Sequence, residues 1–352
     1  LTARRSHLFE DAYATISGMS DEDLNKRLVV SFRDEEGVDA GGLSREFFLL
    51  ASHRIADRQL ALFEPASNGE LQIDPNSSVH SEDTVDMFTF VGRIVGLALA
   101  NDKLLDVVFA PAIYKMLLGD KPGLEDLAEV EPELYRSFSY MLNNPAGDLL
   151  DDFTFSVTQA HFDSHETVDL IPNGRNISVT EANKAEYVDL RTQWAVVEKV
   201  AIQAAALVQG FNEVVPHALV EGLDWRDLKI LLTGTPVISP IRWRIHTEYT
   251  GYTSTSDTIR HFWQTVQSWD HANRAKLLCF VTGTSRLPAG GFDALAGVGE
   301  TEKFHIAKGQ GNGLPTSHTC HNVLILPPYP TAKMLKEKLE YAINETAGFG
   351  EA

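Results

Sequence analysis

The stretch "LPTSHTCHNVLILPPYP", residues 314–330, places Cys320 between two histidines, after a loop-like start and before a short apolar strand. The only other cysteine, Cys279, lies in the apolar run "LLCFV", where a thiol that only packs is expected. Cys320 is therefore predicted to be presented at a surface. A thiol attacks as its thiolate, which a nearby histidine favours, although His318 and His321 can equally be surface residues satisfied by water.

Length and charge limit the classes of function. A chain of 352 residues is too long for one simple core, so two or more lobes are expected. The net charge of −19 argues against nucleic-acid binding, because the phosphates would be repelled. The same charge either keeps the protein soluble or steers a basic partner. No apolar run approaches the ~18 residues of a membrane helix, so no membrane segment is expected.

Two cysteines make no disulfide framework and indicate a reducing compartment. We therefore expect a cytoplasmic location, with nuclear location or membrane recruitment through upstream domains left open. The chain has no HExxH or CxxC motif, and His318, Cys320 and His321 lie too close together to form a structural zinc site alone. No metal and no cofactor are expected. The opening "LTARRSHLFEDAY" is neither a signal peptide nor a natural start, which suggests an excised domain.

The hydrophobic pattern predicts a mostly helical first two thirds. A strand is expected over 28–32, and a helix from about Leu43 after the acidic, glycine-rich turn 34–42. A strand at "LQI" and a long apolar helix at "DTVDMFTFVGRIVGLALAND" follow, with further helix to about Asn143. Strand signals at "DFTFSVTQ" and "NISVT" precede one long helix, "KAEYVDLRTQWAVVEKVAIQAAALVQGFNEVV".

The segment "TGTPVISPI", residues 233–241, contains two prolines that cannot continue the preceding helix. It is interpreted as a linker or hinge, with an ordinary surface loop as the alternative. Helices at "SDTIRHFWQTVQSWD" and "HANRAKLLCFVTG", strands at "KFHIAK" and "NVLIL", and a last helix to about Glu345 come after it. Cys320 thus belongs to a small C-terminal lobe of roughly a hundred residues.

The motifs "FVTGTSRLPAGGF", "LPTSHTCHNVLILPPY" and "AGFGEA" resemble the C-terminal lobe of HECT-type ubiquitin ligases. Four further motifs resemble the N-terminal lobe of that family: "DEEGVDAGGLSREFF", "LQIDPNSS", "FVGRIVGLAL" and "NKAEYVDLRTQW". The resemblance covers essentially the whole chain and is nearest to the branch whose members carry WW domains upstream. It implies an α+β, bilobal fold.

In that fold a large, mostly helical N-lobe spans 1–232 and includes a small conjugating-enzyme-binding subdomain at about 125–190. A hinge at 233–241 joins it to a small α/β C-lobe at 242–352. The resemblance also implies the activity of a ubiquitin-protein ligase. Ubiquitin passes from a conjugating enzyme to Cys320 as a thioester, and then to a substrate lysine as an isopeptide.

The implied partners are a ubiquitin-conjugating enzyme, ubiquitin, and protein substrates held by regions outside this chain. Thioester exchange is nearly balanced in energy, so it needs positioning more than a strong base. His318 and Thr319 match family residues before the nucleophile and are assigned to shaping the loop. Phe349 matches an aromatic residue that family members need for transfer to lysine. Asp39 matches an acidic residue that orients or deprotonates the incoming amine, with a turn residue as the equal alternative.

The implied docking groove for the conjugating enzyme is apolar, as suits a weak, reversible contact. Its matching positions are Leu134, Phe138, Phe153, Tyr187 and Arg191. Taken without the family, the first four would be core residues. Arg191 stands where close relatives often have tyrosine, which could alter the choice of conjugating enzyme.

Other positions depart from the family pattern. The second, noncovalent ubiquitin site is aromatic in relatives, but two matching positions here are Leu60 and Pro65, and only Phe162 is kept. That site is therefore doubtful. His321 replaces the usual phenylalanine after the cysteine, and Ala195 replaces an arginine.

Two rival functions compete with the ligase. A thiol hydrolase would need a histidine base held by Asn or Asp, together with an oxyanion hole, and no particular set stands out. A noncatalytic binding module would not need Cys320 and Phe349, which are both intact.

Overall fold

The computed structural model describes residues 1–33, 42–77, 83–145, 147–150, 152–161, 164–295 and 303–345. For residues 148, 149, 160, 161, 164, 165 and 320 the description is confined to the backbone. The described apolar side chains form three separate hydrophobic clusters. Two of them belong to the first two thirds of the chain, and the third belongs to the C-terminal third.

The first cluster is the core of a helical N-lobe. Its elements are β1 (Thr2–Ala3), α1 (Leu8–Ile16), α2 (Asp21–Leu24), β2 (Ser31–Phe32), α3 (Gly42–Ile55), β3 (Phe63–Pro65), β4 (Leu71–Ile73), α4 (Thr84–Ala100), α5 (Pro111–Leu118), α9 (Ala201–Val214) and α10 (Trp225–Thr233).

Helices α4 and α9 cross unusually closely at the centre of this lobe. A Cβ added to Gly92 would lie 2.1 Å from the carbonyl oxygen of Leu207, and one added to Gly210 would lie 1.9 Å from that of Thr89. Only glycine permits such an approach of two backbones. The predicted apolar helix at "DTVDMFTFVGRIVGLALAND" is confirmed as α4, with Phe88 fully buried.

The second cluster is the core of a small subdomain inserted in the N-lobe. Its elements are α6 (Leu124–Val130), α7 (Pro132–Asn143), β5 (Ser156–His161), β6 (Ser164–Asp169) and α8 (Lys184–Val196). Strands β5 and β6 form an antiparallel hairpin in which Val157 faces Val168. Tyr187 of α8 packs its ring against this hairpin region and against α7.

The third cluster is the core of the C-lobe. Its elements are α11 (Pro240–Ile245), β7 (Thr247–Thr250), α12 (Asp257–Ser268), α13 (His271–Thr282), β8 (Phe304–Lys308), β9 (Thr316–His318), β10 (Val323–Leu326) and α14 (Ala332–Glu345). The strand order is β7-β8-β10-β9; β7 and β10 run parallel to β8, and β9 runs antiparallel to β10. The predicted helices α12 to α14 and strands β8 and β10 are confirmed.

Two predictions in the N-lobe are wrong. The strand expected over 28–32 is reduced to β2, because its parallel partner β1 has only two residues. The single long helix expected from 184 onwards is two helices, α8 and α9, separated by the turn Glu198–Val200. Val197 leaves the helical region at φ −120° and ψ −58°, and the chain changes direction because α8 packs in the subdomain while α9 packs in the main core.

The strand prediction at "NISVT" is also wrong. Only an isolated bridge joins Thr154 and Ser178, and the partner of β5 is β6, whose polar sequence "SHETVD" carries little apolar signal. In the C-lobe, α11, β7 and β9 were not predicted. Pro240 does not continue the linker but opens α11, where a proline at the first helical position loses no hydrogen bond. Among the described residues, no helix has the length and apolar character needed to cross a bilayer.

Replacing Gly210 by alanine tests the crossing of α4 and α9. The added methyl group would strike the Thr89 carbonyl, and overpacking of this kind should lower the free energy of unfolding by about 1–3 kcal/mol. Urea denaturation followed by circular dichroism measures the change. Gly18→Ala is the control, since its Cβ would meet only ordinary contacts of 3.7 Å or more. Equal stability of the two variants would contradict the predicted clash.

Candidate active site

Cys320 lies at the tip of a tight hairpin in the C-lobe. Strands β9 and β10 pair with Val323 opposite His318, and the helical turn Thr319–His321 joins them. Loop shaping was predicted for His318 and Thr319. The structure places His318 at the end of β9 with an exposed side chain and Thr319 at the start of the turn. The hairpin therefore presents the turn that carries the thiol at the edge of a sheet.

Asn322 ends this turn and anchors it to the sheet. Its φ of +52° lies in the left-handed region, which asparagine tolerates better than most residues. Its carbonyl oxygen accepts a hydrogen bond of 2.9 Å from the backbone N–H of His305 in β8. Asn322 is fully buried, so the backbone two residues after Cys320 is rigidly tied to the centre of the C-lobe.

The N-lobe contacts the Cys320 hairpin through helix α3. Arg45 of α3 is only 7% exposed, and its Nη1 donates 3.0 Å hydrogen bonds to the Oδ1 of Asn322 and to the carbonyl oxygen of Thr282. Both acceptors belong to the C-lobe. A Cβ added to Gly283 would lie 4.0 Å from the Cβ atoms of Arg45 and Thr319, so the two lobes pack closely here.

A second polar contact joins the lobes at Asp106. One oxygen of its carboxylate accepts a hydrogen bond from the hydroxyl of Ser285 in the C-lobe. The other oxygen lies 3.0 Å from Nε2 of His53 in α3. Burial alone would raise the pKa of the Asp106 carboxyl, but the contacts with His53 and Ser285 hold it below its ordinary value. The charged form of Asp106 is thus favoured by groups from both lobes.

The second cysteine behaves as the sequence predicted. Cys279 lies in α13, and burial, together with the nearby Asp106 carboxylate, raises the pKa of its thiol to about 12. At neutral pH this thiol stays protonated and is a poor nucleophile.

The segment between α10 and α11 covers residues 234–239. Thr233 still belongs to α10, and α11 already begins at Pro240. Thr235 exchanges two backbone hydrogen bonds with Leu287 of the C-lobe, of 2.7 and 3.1 Å, and the ring of His271 contacts the carbonyl of Pro236. The first linker residues are therefore held against the C-lobe in this arrangement.

The residues assigned to the docking groove gather around one ring in the subdomain. The ring of Tyr187 lies 5.9 Å from those of Phe138 and Phe153 and 5.6 Å from that of Phe155. Tyr187 is only 4% exposed and Phe138 is buried, whereas Phe153 is 37% exposed. Leu134 is partly buried against the same cluster. Phe153 is therefore the exposed ring of this group, while Phe138 and Tyr187 are buried.

Arg191 lies one helical turn after Tyr187 in α8. Its guanidinium stacks 4.9 Å from the ring of Trp194 and lies 3.9 Å from the carboxylate of Glu131. Burial lowers the pKa of this guanidinium from its ordinary value. Its side chain is thus drawn toward the subdomain rather than extended into solvent.

The other predicted positions are scattered. Leu60 ends a short helical turn, partly buried against the N-lobe core, and Pro65 is exposed in β3. Ala195 is fully buried in α8, and His321 is exposed at the end of the Cys320 turn. Asp39, Phe162 and Phe349 lie outside the described residues.

Sequence reasoning missed the contacts between the lobes. Arg45 belongs to the motif "DEEGVDAGGLSREFF", but no function is predicted from the sequence for Arg45, Asn322, Asp106 or Ser285. A signal was present for Arg45, because a charged residue two positions before the apolar pair Phe47-Phe48 needs a partner if its helix is buried. The identity of the acceptors had no signal in the sequence.

Comparison with known proteins identifies the arrangement. A family model described as "HECT-domain (ubiquitin-transferase)" matches residues 49–352. The chain belongs to the HECT family. It is 44% identical over its whole length to the E3 ubiquitin-protein ligase RSP5 of Chaetomium thermophilum and to that of Saccharomyces cerevisiae. It is 45% identical over 99% of its length to the E3 ubiquitin-protein ligase pub3 of Schizosaccharomyces pombe.

This HECT chain spans less than half the length of those relatives, namely 43% and 44% of the two RSP5 proteins and 44% of pub3. The predicted family and the predicted α+β fold with two lobes are both confirmed. In the HECT chain the Cys320 turn lies against α3, so the lobes meet beside the predicted nucleophile.

The pH dependence of stability tests the role of Asp106. Its pKa is lower in the folded chain than in the unfolded chain, so its charge contributes stability above the ordinary aspartate pKa, and this contribution is lost as the pH falls through the folded value. The parent should therefore lose stability more steeply than Asp106→Asn below about pH 4. Urea denaturation at pH 7, 5, 4 and 3 measures the difference.

A matched control is Asp57→Asn, whose carboxylate contacts Arg54 and the Gln59 backbone within the N-lobe only. Parallel stability curves for the parent and Asp106→Asn would contradict the predicted contribution.

Proposed function

We propose that this chain is the catalytic part of a ubiquitin-protein ligase that carries ubiquitin as a thioester on Cys320. The observation that carries the proposal is the position of Cys320 at the tip of a hairpin that lies against α3, in a HECT chain whose relatives are named E3 ubiquitin-protein ligases. The proposed partners are a conjugating enzyme, ubiquitin, and substrates selected by parts of a longer protein.

The proposed reaction has two acyl transfers. In the first, the Cys320 thiolate attacks the carbonyl carbon of the thioester between ubiquitin and the conjugating enzyme. A new C–S bond forms, the old C–S bond breaks, and the thiolate of the conjugating enzyme leaves. In the second, a lysine amine attacks the new thioester, the C–N bond forms and the C–S bond breaks. The amine passes a proton to the Asp39 carboxylate or to solvent, and Cys320 leaves as a thiolate.

Neither transfer needs a change of oxidation state, and thioester exchange is nearly neutral in energy. Catalysis then depends on bringing the reacting atoms together and holding them in line. An arrangement with a rigid hairpin, a short linker and a second lobe in contact with the hairpin suits that requirement. Asp39 and Phe349 keep the roles that the family resemblance proposes for them, orienting the amine and anchoring the C-terminal tail.

The docking surface for the conjugating enzyme is proposed to lie on the subdomain around Phe153. Supporting it are the exposed ring of Phe153 and the exposed side chains of Tyr140 and Leu142 on the neighbouring helix α7. An exposed apolar patch with buried aromatic support is typical of a small, reversible interface.

A single-turnover loading assay tests the thioester. With activating enzyme, a panel of conjugating enzymes and labelled ubiquitin, the parent should form an adduct that reductant removes, and Cys320→Ala should form none. Cys279→Ala is the matched control, because it removes the other thiol, which is partly buried and protonated. An adduct that survives in Cys320→Ala, or a release of free ubiquitin without any adduct, would contradict the ligase and favour a different thiol chemistry.

Substitutions at two neighbouring rings separate docking from folding. Phe153→Ala should slow loading of Cys320 about tenfold, as expected for an interface anchor, with little change in melting temperature. Tyr187→Ala should lower the melting temperature as well, because a buried ring is lost from the subdomain core. Loading kinetics and thermal denaturation measured on both variants make the comparison. Normal loading by a folded Phe153→Ala protein would remove this surface from the proposal.

A further inference from the structure

We propose that Arg45 is a positioning residue for the transfer of ubiquitin to lysine, acting from the N-lobe on the hairpin that carries Cys320. This inference rests on the proposed function and assigns one more residue to its second transfer. Arg45 does not touch the reacting atoms in this proposal. It holds Asn322 and Thr282, and through them it fixes the C-lobe against α3 while the amine attacks.

The first support is the burial of the guanidinium. A charged group that is only 7% exposed is stable only when it is well hydrogen-bonded, because removing it from water is costly. Two of the acceptors that meet this requirement for Arg45 lie in the other lobe, Asn322 Oδ1 and the Thr282 carbonyl oxygen, each at 3.0 Å. The side chain is thus matched to one particular placement of the C-lobe.

The second support is the rigidity of what Arg45 holds. Asn322 follows Cys320 by two residues, and its left-handed backbone and its hydrogen bond to His305 tie it to the C-lobe sheet. Thr282 is the last residue of α13, whose side chains Leu277 and Leu278 are fully buried in the C-lobe core. Arg45 therefore contacts two points of the C-lobe that cannot move relative to the Cys320 hairpin without disrupting its core.

The third support is where α3 lies along the chain and in the fold. Helix α3 begins at Gly42, directly after the segment that carries Asp39, the residue predicted to orient the incoming amine. The proposed docking surface around Phe153 lies on the subdomain, where Phe153 contacts Tyr187 of a different hydrophobic cluster. The contact of Arg45 with Asn322 thus joins Cys320 to the part of the N-lobe predicted to act on lysine. It is predicted to matter in the second transfer and not in the first.

A pulse-chase experiment separates the two transfers. The full chain is loaded with labelled ubiquitin, further activation is stopped, and the thioester is chased with free lysine or with hydroxylamine. In Arg45→Met, loading should stay within twofold of the parent, while discharge to lysine should fall about tenfold or more, as expected for the loss of hydrogen bonds to a charged group. Cleavage by hydroxylamine, a strong nucleophile that needs no positioning, should be unchanged. Arg45→Lys should recover part of the lysine rate.

A second variant addresses the same contact from the other lobe. Asn322→Gly keeps the left-handed backbone without strain and removes the Oδ1 acceptor. It should show the same selective loss of lysine discharge. Asn322→Gly removes one of the two contacts that Arg45→Met removes, and the contact with Thr282 remains in it. The double variant should therefore discharge to lysine no more slowly than Arg45→Met alone.

The matched control is Arg54→Met, an arginine of the same helix whose ion pair is with Asp57 in the N-lobe. It should discharge to lysine like the parent. Normal discharge by Arg45→Met, or an equal loss of loading and discharge together with a lower melting temperature, would overturn the inference and leave the proposed function standing. A parent chain that forms no thioester at all would overturn both.

Discussion

The contact between a buried guanidinium and the hairpin of the other lobe links the two halves of this molecule. Arg45 is held by α3 in the N-lobe, yet two of its hydrogen-bond acceptors belong to the C-lobe. A buried charge is stable only where hydrogen-bond acceptors surround it. This contact therefore favours the relative orientation of the lobes in which Arg45 reaches its acceptors over orientations in which it does not. The contact of Asp106 with Ser285 also joins the N-lobe to the C-lobe and favours the same relative orientation.

The molecule has three separate hydrophobic cores, so a contact that forms in one orientation of the lobes can break without unfolding any of them. Each core buries its own aromatic side chains: Phe47 and Phe88 in the N-lobe, Tyr187 in the subdomain and Trp243 in the C-lobe. No core must be opened for the lobes to separate, because each lobe keeps its own hydrophobic cluster. In the proposed reaction Cys320 meets first a conjugating enzyme and then an amine, and this sequence requires cores that stay intact while the lobes change their relative orientation.

The predictions that failed share a cause. The helix from 184 onwards was broken because two cores draw α8 and α9 in different directions, and an apolar pattern carries no information about which core a helix joins. The strand at 28–32 was shortened because the length of a ladder depends on the partner, and β1 has two residues. Strand β6 was missed because its pairing with β5 is made by the backbone and its side chains are mostly polar. Long apolar segments such as α4 were predicted well, since their burial is decided locally.

By itself, the sequence determined the family, the two lobes and long apolar helices such as α4. Those depend on motifs in order, on apolar periodicity and on the surroundings of single residues along the chain. The tertiary structure alone decided that Phe138 and Tyr187 are buried while Phe153 is exposed, and that Arg45 and Asp106 of the N-lobe contact the C-lobe. Those contacts join residues as much as 277 positions apart in the case of Arg45 and Asn322. A local pattern cannot specify which acceptor a distant donor will meet, because that depends on how complete cores pack against each other.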